Sequence, residues 1–279
     1  MLAPAEYVLL EVADSARIVR GIVGGTLSGS LMSGLGQVFP ANEHGGDLRI
    51  IGGAINRPML ALYSKREDIR TLADLRGRVV GSGSVGALVH QLTVTLLRQA
   101  GVPVDSVRFV SIGTSAEVFR AVRAGTVDAG VGPSSVAESA QSLGVHAITG
   151  GDMAEALPDF TYAGAWSSAA IIARERDTLV RLLAAHVLTY RLLQSEAGHQ
   201  PFIEARRSVL PQADAQEHEA EWRFIQRLKP LADGLLLEPA RIDFLQDVNI
   251  ASGIQSVRLP FDRVADLSLA REALELAGH

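Results

Sequence analysis

Cysteine is missing from all 279 residues. Its absence excludes disulfides, thiolate metal sites and a cysteine nucleophile, and leaves the compartment open, because a cysteine-free chain suits periplasm and cytosol alike. No basic cluster occurs, and the net charge of −5 argues against nucleic acid, which needs many cations to displace phosphate counterions. No apolar run reaches the length of a membrane-spanning helix, and the first residues lack the basic region, apolar stretch and small-residue cleavage site of an export signal. As written, the sequence reads as soluble and unexported. Catalytic constellations are sparse as well. The seven histidines are scattered, His218-Glu219 is followed by Trp222 rather than the second His of a zinc helix, and there is no G-x-S-x-G elbow. No enzymatic activity, metal or cofactor is expected. What is present is 47% hydrophobic residues with no long polar tract, enough to bury one large core or two modest ones.

The chain also repeats itself at an offset of one hundred residues. Ala13-Asp14-Ser15-Ala16-Arg17-Ile18-Val19-Arg20, closing on Gly25-Thr26-Leu27, returns as Gly113-Thr114-Ser115-Ala116-Glu117-Val118-Phe119-Arg120, closing on Gly125-Thr126-Val127. Each copy follows an apolar run (Tyr7 to Val12, Arg108 to Ile112) and leads to a strand-like run ending in Gly-Gly (Leu48 to Gly53, Val145 to Gly151). Alternating strands and helices imply mostly parallel sheets flanked by helices, so the expected fold is α/β in two related lobes with a cleft between them.

Asn56-Arg57-Pro58 and the apolar run Met59 to Tyr63 read as the crossover out of the first lobe. A strand at Arg78 to Gly81 then feeds a helix with the apolar stripe Val85, Leu88, Val89, Leu92, Leu96 and Leu97, stopped by Gly101. A strand at Ala169 to Ala173 is expected to bring the chain back. Beyond it, helices are expected over about Leu179 to Gln194, Ala215 to Leu228 and Pro239 to Asn249, punctuated by Pro211, Pro230 and Pro260. The expected division is residues 1–65 with 166–279, including the C-terminal helices, and residues 66–165. Paired crossovers imply a hinge. The second copy is preceded by a strand-loop-helix, Arg78 to Ala100, that the first lacks, which leaves Tyr7 to Val12 without a natural partner strand. The expectation is a truncated or misassigned start, short by roughly thirty residues.

Gly81-Ser82-Gly83-Ser84-Val85-Gly86 matches G-x-G-x-x-G between a strand and a helix. A dinucleotide site also needs an acidic residue ending the next strand, but that strand ends Ser111-Ile112-Gly113-Thr114-Ser115 and Asp105 lies before it. Free N–H groups at a helix start with hydroxyl neighbours suit an anionic or polar ligand group instead, or else form a tight turn with a serine cap. Gly113-Thr114-Ser115 and Gly132-Pro133-Ser134-Ser135 follow parallel strands on the same sheet edge, either as ligand loops or as ordinary helix caps. Their first-lobe counterparts are Asp14-Ser15 and Ser30-Leu31-Met32-Ser33, with Asn56-Arg57 at the crossover and Tyr162 or Trp166 near the return. Arg57 could clamp a carboxylate or sulfonate, or serve as a surface ion pair. Trp166 could stack on a planar ligand, or pack in the core. For Asp128 a local hydrogen-bonding role is expected rather than catalysis.

Leu72-Ala73-Asp74-Leu75-Arg76-Gly77-Arg78-Val79-Val80-Gly81, the Ser-x-Gly helix start and Gly125-Thr126-Val127-Asp128-Ala129-Gly130 together resemble the solute-binding proteins of ABC importers for nitrate, sulfonates, taurine and thiamine pyrimidine precursors. The resemblance runs from about Tyr7 to the C-terminal helices. It implies a type II periplasmic-binding-protein fold, lobes that close on a small ligand, a monomer that delivers its solute to a membrane ABC permease, and a periplasmic or extracellular location. It places the ligand against Ser84, Val85 and Gly86, Thr114 and Ser115, and Gly132 to Ser134. With the residue-based candidates, the expected ligand-binding set is Ser30, Met32, Ser33, Asn56, Arg57, Ser82, Ser84, Val85, Gly86, Gly113, Thr114, Ser115, Gly132, Pro133, Ser134 and Trp166. The chain departs from that family in lacking an export signal and a first strand. A cysteine-rich motif used by a eukaryotic branch that makes the thiamine pyrimidine is also missing. The expected function is non-enzymatic binding of a small polar, anionic or heteroaromatic solute. The alternatives are an enzyme on the same fold (a decarboxylase, an isomerase or a pyrimidine synthase) and a ligand-sensing domain.

Overall fold

The computed structural model describes residues 7–10, 12 and 15–278 of the chain. In chain order its elements are α1 (Ser15–Val23), β1 (Ser30–Ser33), α2 (Val38–Glu43), β2 (Leu48–Ile55), β3 (Leu60–Ser64), β4 (Val79–Ser82), α3 (Leu88–Gln99), β5 (Arg108–Ser111), α4 (Ser115–Ala124), β6 (Ala129–Pro133), β7 (His146–Asp152), α5 (Met153–Ala156), β8 (Ala163–Ser168), α6 (Ala169–Leu193), α7 (His199–Val209), α8 (Ala215–Leu228), α9 (Pro239–Ala251), α10 (Phe261–Val264) and α11 (Ser268–Ala277). Two compact units result. The first holds the described residues up to Asn56, then Asp159–Gly198 and those from Pro230 onward; the second holds Arg57–Pro158 and His199–Lys229.

The second unit is built on a five-stranded sheet of order β5-β4-β6-β3-β7. Strand β4 runs parallel to β5 and β6, while β3 runs antiparallel to both β6 and β7. Four strands thus share one direction and one opposes them. Every residue of β3 is buried, as expected of a strand paired on both edges. Helix α4 packs close to the sheet, with Val118, Phe119 and Val122 buried, and this closeness depends on glycine. A Cβ added at Gly132 would lie 2.4 Å from the Phe119 ring, so only a residue without a side chain lets the helix approach. Phe119 in turn meets Tyr63 edge to face at 5.2 Å between ring centres, inside a core shared with Val122, Val127, Ala140 and Val145.

The first unit carries a three-stranded sheet of order β1-β8-β2, in which β8 runs antiparallel to both neighbours. Trp166, Leu48, Ile50 and Ile51 are fully buried there, and α6 contributes Leu179, Leu183 and Val187 to the same core. Helix α11 is tied to α6 by Arg176, which donates to Ser268 at 2.8 Å and to Glu272 at 2.5 Å.

The repeat is real at the level of elements. The series α1, β1, α2, β2 matches α4, β6, the 3₁₀ segment Ser134–Leu143 and β7, and the orders β1-β8-β2 and β6-β3-β7 correspond strand for strand. In each sheet the opposing central strand comes from the chain segment that follows the other copy. That exchange corrects the expected boundaries. The chain leaves the first unit after Asn56, before β3, rather than at residue 65, and it returns before β8 rather than at 166. The returning strand is therefore β8, and Ala169 to Ala173, expected as a strand, opens α6 as a short helical stretch joined to the longer one by a kink at Glu175 (φ −122°, ψ 22°). Ser168 caps that helix by accepting the Ile171 N–H at 3.3 Å, a start signal that outweighs the short apolar run behind it. Residues 199–229 also join the second unit, where Arg227 of α8 pairs with Glu138 at 2.9 Å. Of the run Tyr7 to Val12, the described residues form no strand. Ala13 and Asp14 lie outside the described residues.

Candidate functional site

In the second unit, parallel pairing sets the carboxyl ends of β4, β5 and β6 on one sheet edge, with Ser82 in register with Ser111 and Gly81 with Gly130. Open α/β sheets take ligands at such an edge. The loops that leave it carry Ser82 to Gly86, Gly113 to Ser115 and Gly132 to Ser134, so the three expected loops converge. Two hydroxyls stand out among them. Ser82 at the end of β4 is fully buried and Ser134, just past β6, is 2% exposed, and neither hydroxyl oxygen has a hydrogen-bond partner. An unsatisfied buried polar group costs about 1–3 kcal/mol, so a ligand group that bonds both would recover that cost.

After β4, α3 begins without a capping side chain: its N-cap is Ala87 in an extended conformation. Neither Ser82 nor Ser84 plays the cap, and the helix start presents its N–H groups unscreened by a hydroxyl. Ser84 and Val85 are exposed, the latter at 82%. Gly86 is buried and donates its N–H to His90 Nδ1 at 3.3 Å. That bond uses the neutral ring, and burial, followed by the nearby Arg98 charge, lowers the His90 pKa in the same sense.

The loop after β5 follows its capping alternative. Thr114 and Glu117 form a reciprocal capping box, in which the Thr114 N–H and hydroxyl donate to Glu117 Oε2 at 2.7 and 2.9 Å. Gly113 lies at φ +141°, and a Cβ there would strike that carboxylate at 2.3 Å. Backbone bonds to Thr114 lead the contacts that hold Glu117 below its usual pKa. Ser115 is half-buried beside the cap. On the β6 side, the Tyr63 hydroxyl donates to the Pro133 carbonyl at 2.7 Å and fixes the loop ahead of Ser134. Burial, and secondarily Asp152, raises the Tyr63 pKa, which keeps the hydroxyl protonated as a donor. Asp128 serves the local role expected, accepting the Val79 N–H at 2.8 Å. Arg57 is exposed and forms no ion pair among the described residues.

The first unit treats its expected residues differently. Trp166 is fully buried and donates its indole N–H to Ser33 Oγ at 2.8 Å, while Ser33 and Ser30 share a 2.6 Å hydroxyl contact. Trp166 is therefore a core residue whose indole N–H is satisfied by Ser33, which in turn pairs with Ser30. Met32 is 47% exposed. Asn56, just past β2, keeps a buried, unpartnered Oδ1. Close by, Thr161 is 1% exposed with an unpartnered hydroxyl, and the following N–H, that of Tyr162, donates to Ile55 O at 2.9 Å. Thr161 was not legible in the sequence, since nothing in Asp159-Phe160-Thr161-Tyr162 distinguishes a buried hydroxyl from a loop residue. Among the described residues, no group of three or more His, Asp or Glu could hold a metal ion, and no helix is long and apolar enough to cross a membrane.

A family model described as NMT1/THI5 like matches residues 31–191. No curated protein matches the chain. Among solved structures, the alkanesulfonate-binding protein SsuA from Xanthomonas axonopodis pv. citri, bound to MOPS, superposes with a TM-score of 0.69 at 19% identity, over 95% of this chain and 86% of that one. The periplasmic aliphatic sulphonate binding protein SsuA from Escherichia coli gives 0.60 at 17% identity, over 89% and 78%. The desulfurization enzyme DSZB gives 0.61 at 16% identity, over 88% and 84%. At these identities the likeness is one of fold: the mixed α/β architecture is that of periplasmic binding proteins.

Proposed function

From the premise that the chain belongs to the NMT1/THI5-like family, we propose that it is a non-enzymatic receptor for a small polar solute. The solute is anionic or heteroaromatic, and the receptor hands it to the membrane permease of an ABC-type importer. The observation that carries this reading is the pair of buried, unpartnered hydroxyls, Ser82 and Ser134, at the carboxyl ends of two parallel strands. The helix that follows the first of those strands starts without a capping side chain. Hydroxyls can donate to acceptor oxygens, and helix-start N–H groups favour negative charge, so a sulfonate, carboxylate or nitrate group fits this donor set. Sulfonate-binding proteins of the same fold support that class of solute. Asn56 Oδ1 and Thr161 Oγ in the first unit are further polar atoms a solute could engage. On this reading the protein works as a monomer in the periplasm or on the outer face of the membrane.

A second reading, an enzyme on the same fold, is favoured by the likeness to DSZB. The edge residues weaken it, because Ser82 and Ser134 have no base bonded to them.

A thermal-melt screen of the purified chain against taurine, alkanesulfonates, nitrate, pyrimidines and aromatic carboxylates tests the proposal. A solute at a hundred times its dissociation constant should stabilise by about 2.7 kcal/mol, a shift of several degrees for a chain of this size. Recovery of the unchanged solute supports the receptor; a transformed product supports the enzyme and contradicts the proposal.

A further inference from the structure

Helices α3 and α4, which follow β4 and β5 at this sheet edge, close their first turns with different chemistry. At α4 the third helical residue, Glu117, reaches back and accepts the N–H of the Thr114 N-cap at 2.7 Å. At α3 the same position is held by His90, whose Nδ1 accepts the N–H of Gly86, the residue before the Ala87 N-cap, at 3.3 Å. A carboxylate keeps its acceptor oxygens at every pH near neutral, whereas an imidazole has an acceptor nitrogen only while it is uncharged. The partner of the Gly86 N–H thus depends on the protonation of one ring.

The setting of that ring makes its protonation responsive to a nearby anion. His90 is half-buried and meets Phe109 of β5 edge to face at 5.1 Å between ring centres. Burial, followed by the Arg98 charge, holds its pKa below the usual histidine value. It also sits in the first turn of a helix, where the macrodipole disfavours a cation. Among the described residues, the ionisable groups of its own helix and of the elements packed on it are Arg98 of α3, Arg108 of β5, Asp105 in the 3₁₀ segment Val104–Ser106 and Glu155 of α5, with none on β4. Arg98 is the one whose charge bears on the ring. These effects all oppose the proton; a negative charge at the start of α3 would favour it.

On the reading that this edge binds the solute, we propose that the solute is an anion and that its binding is coupled to proton uptake at His90. Nδ1 takes a proton from solvent, the Gly86 N–H···Nδ1 bond breaks, and both ring nitrogens become donors. The bound anion then meets the positive ring and receives the N–H that Gly86 has given up. Because the anion raises the ring's affinity for a proton, the proton raises the affinity for the anion by the same factor. Affinity therefore strengthens as pH falls through the His90 pKa.

Isothermal titration of the full chain with methanesulfonate, ethanesulfonate and nitrate tests this, since all three stay ionised between pH 8 and pH 5. The titrations use two buffers of different protonation enthalpy, neither of them a sulfonate. Affinity should be at least about five-fold tighter at pH 5 than at pH 8, and the heats in the two buffers should differ as proton uptake requires. His90→Gln keeps an acceptor at the third helical position but cannot take up the proton, so it should bind equally at both pH values. His90→Glu, which copies Glu117, should bind the anions more weakly than the parent at pH 5 by a similar factor. His186→Gln, which removes a histidine of the first unit, should keep the parent's pH dependence. The parent's own pH profile and buffer heats decide the matter even if a His90 variant fails to fold. Affinity that is equal at the two pH values or weaker at pH 5, or a pH dependence that survives in His90→Gln, would overturn the coupling and leave the receptor standing. Binding of a neutral pyrimidine but of none of the anions would do the same. Failure of every solute to bind would overturn the receptor and the coupling together.

Discussion

Removing a hydroxyl from Ser82 or Ser134 should do opposite things to folding and to binding. Each hydroxyl is buried with no partner from the protein, so Ser→Ala removes a group that no protein atom satisfies and should leave stability unchanged or raise it by about 1 kcal/mol. If the same hydroxyl bonds the solute, its loss should weaken binding roughly ten-fold, the worth of about 1.4 kcal/mol. A merely structural serine would show the reverse pattern, with a lower melting temperature and unchanged affinity. Two histidines set the pH response. Burial lowers the pKa of His186, and burial followed by the Arg98 charge lowers that of His90. The unfolded chain, with histidines near 6.5, therefore binds more protons than the folded one below that pH. Stability contributed by the neutral rings is complete above about pH 6.5 and is lost as pH falls toward the lowered folded values. Melts between pH 7.5 and 5 should drop on the acid side, and His186→Gln or His90→Gln should flatten part of that drop; an unaltered slope in both variants would contradict this assignment. At residue scale the sequence was an uneven guide. Ser82 and Ser134 were candidates because strand ends followed by small polar residues mark a sheet edge, and Asn56 because it opens the crossover out of the first unit. Trp166 and Thr161 were not, because whether a ring or a hydroxyl faces a ligand or the core depends on strand pairing that arises far along the chain.

Helix starts decide much at the scale of elements. In α4 the Thr114–Glu117 box closes the first turn, and Thr114→Ala should cost about 1 kcal/mol. In α3 no side chain caps the start, which marks the one of these two helices whose N–H groups remain for a solute. Gly132→Ala should cost about 1–3 kcal/mol by overpacking, because its new methyl would press on Phe119. Circular dichroism melts of both variants check these values, and a melting temperature unchanged in Gly132→Ala would contradict the close approach of α4. Periodicity made most elements legible: the stripe from Leu88 to Leu97 is a helix, and the run Leu60 to Tyr63 is a strand. It failed at Ala169 to Ala173, where five small and β-branched residues look like a strand and the Ser168 cap starts a short helical stretch that runs to the kink at Glu175.

For the whole molecule, duplication was the most legible property, and strand exchange the least. An offset of one hundred residues is written in the sequence, whereas the fact that β3 and β8 each enter the other copy's sheet is not. Each crossing strand is short and apolar, and nothing local records which sheet will pair it. The exchange sets the unit boundaries at Asn56 and Asp159. Separately, residues 199–229 belong to the second unit, so the chain passes from one unit to the other at more than two places. Solute binding rests on the edge of the second sheet that bears Ser82 and Ser134. The most direct measurement is isothermal titration of the chain and of its Ser82→Ala/Ser134→Ala double variant with the solute that gives the largest melt shift, followed by mass spectrometry of the recovered solute. We predict 1:1 binding to the parent chain, at least ten-fold weaker binding to a double variant that melts no lower, and solute recovered unchanged. Equal affinity in the two proteins, or a solute returned as product, would contradict it.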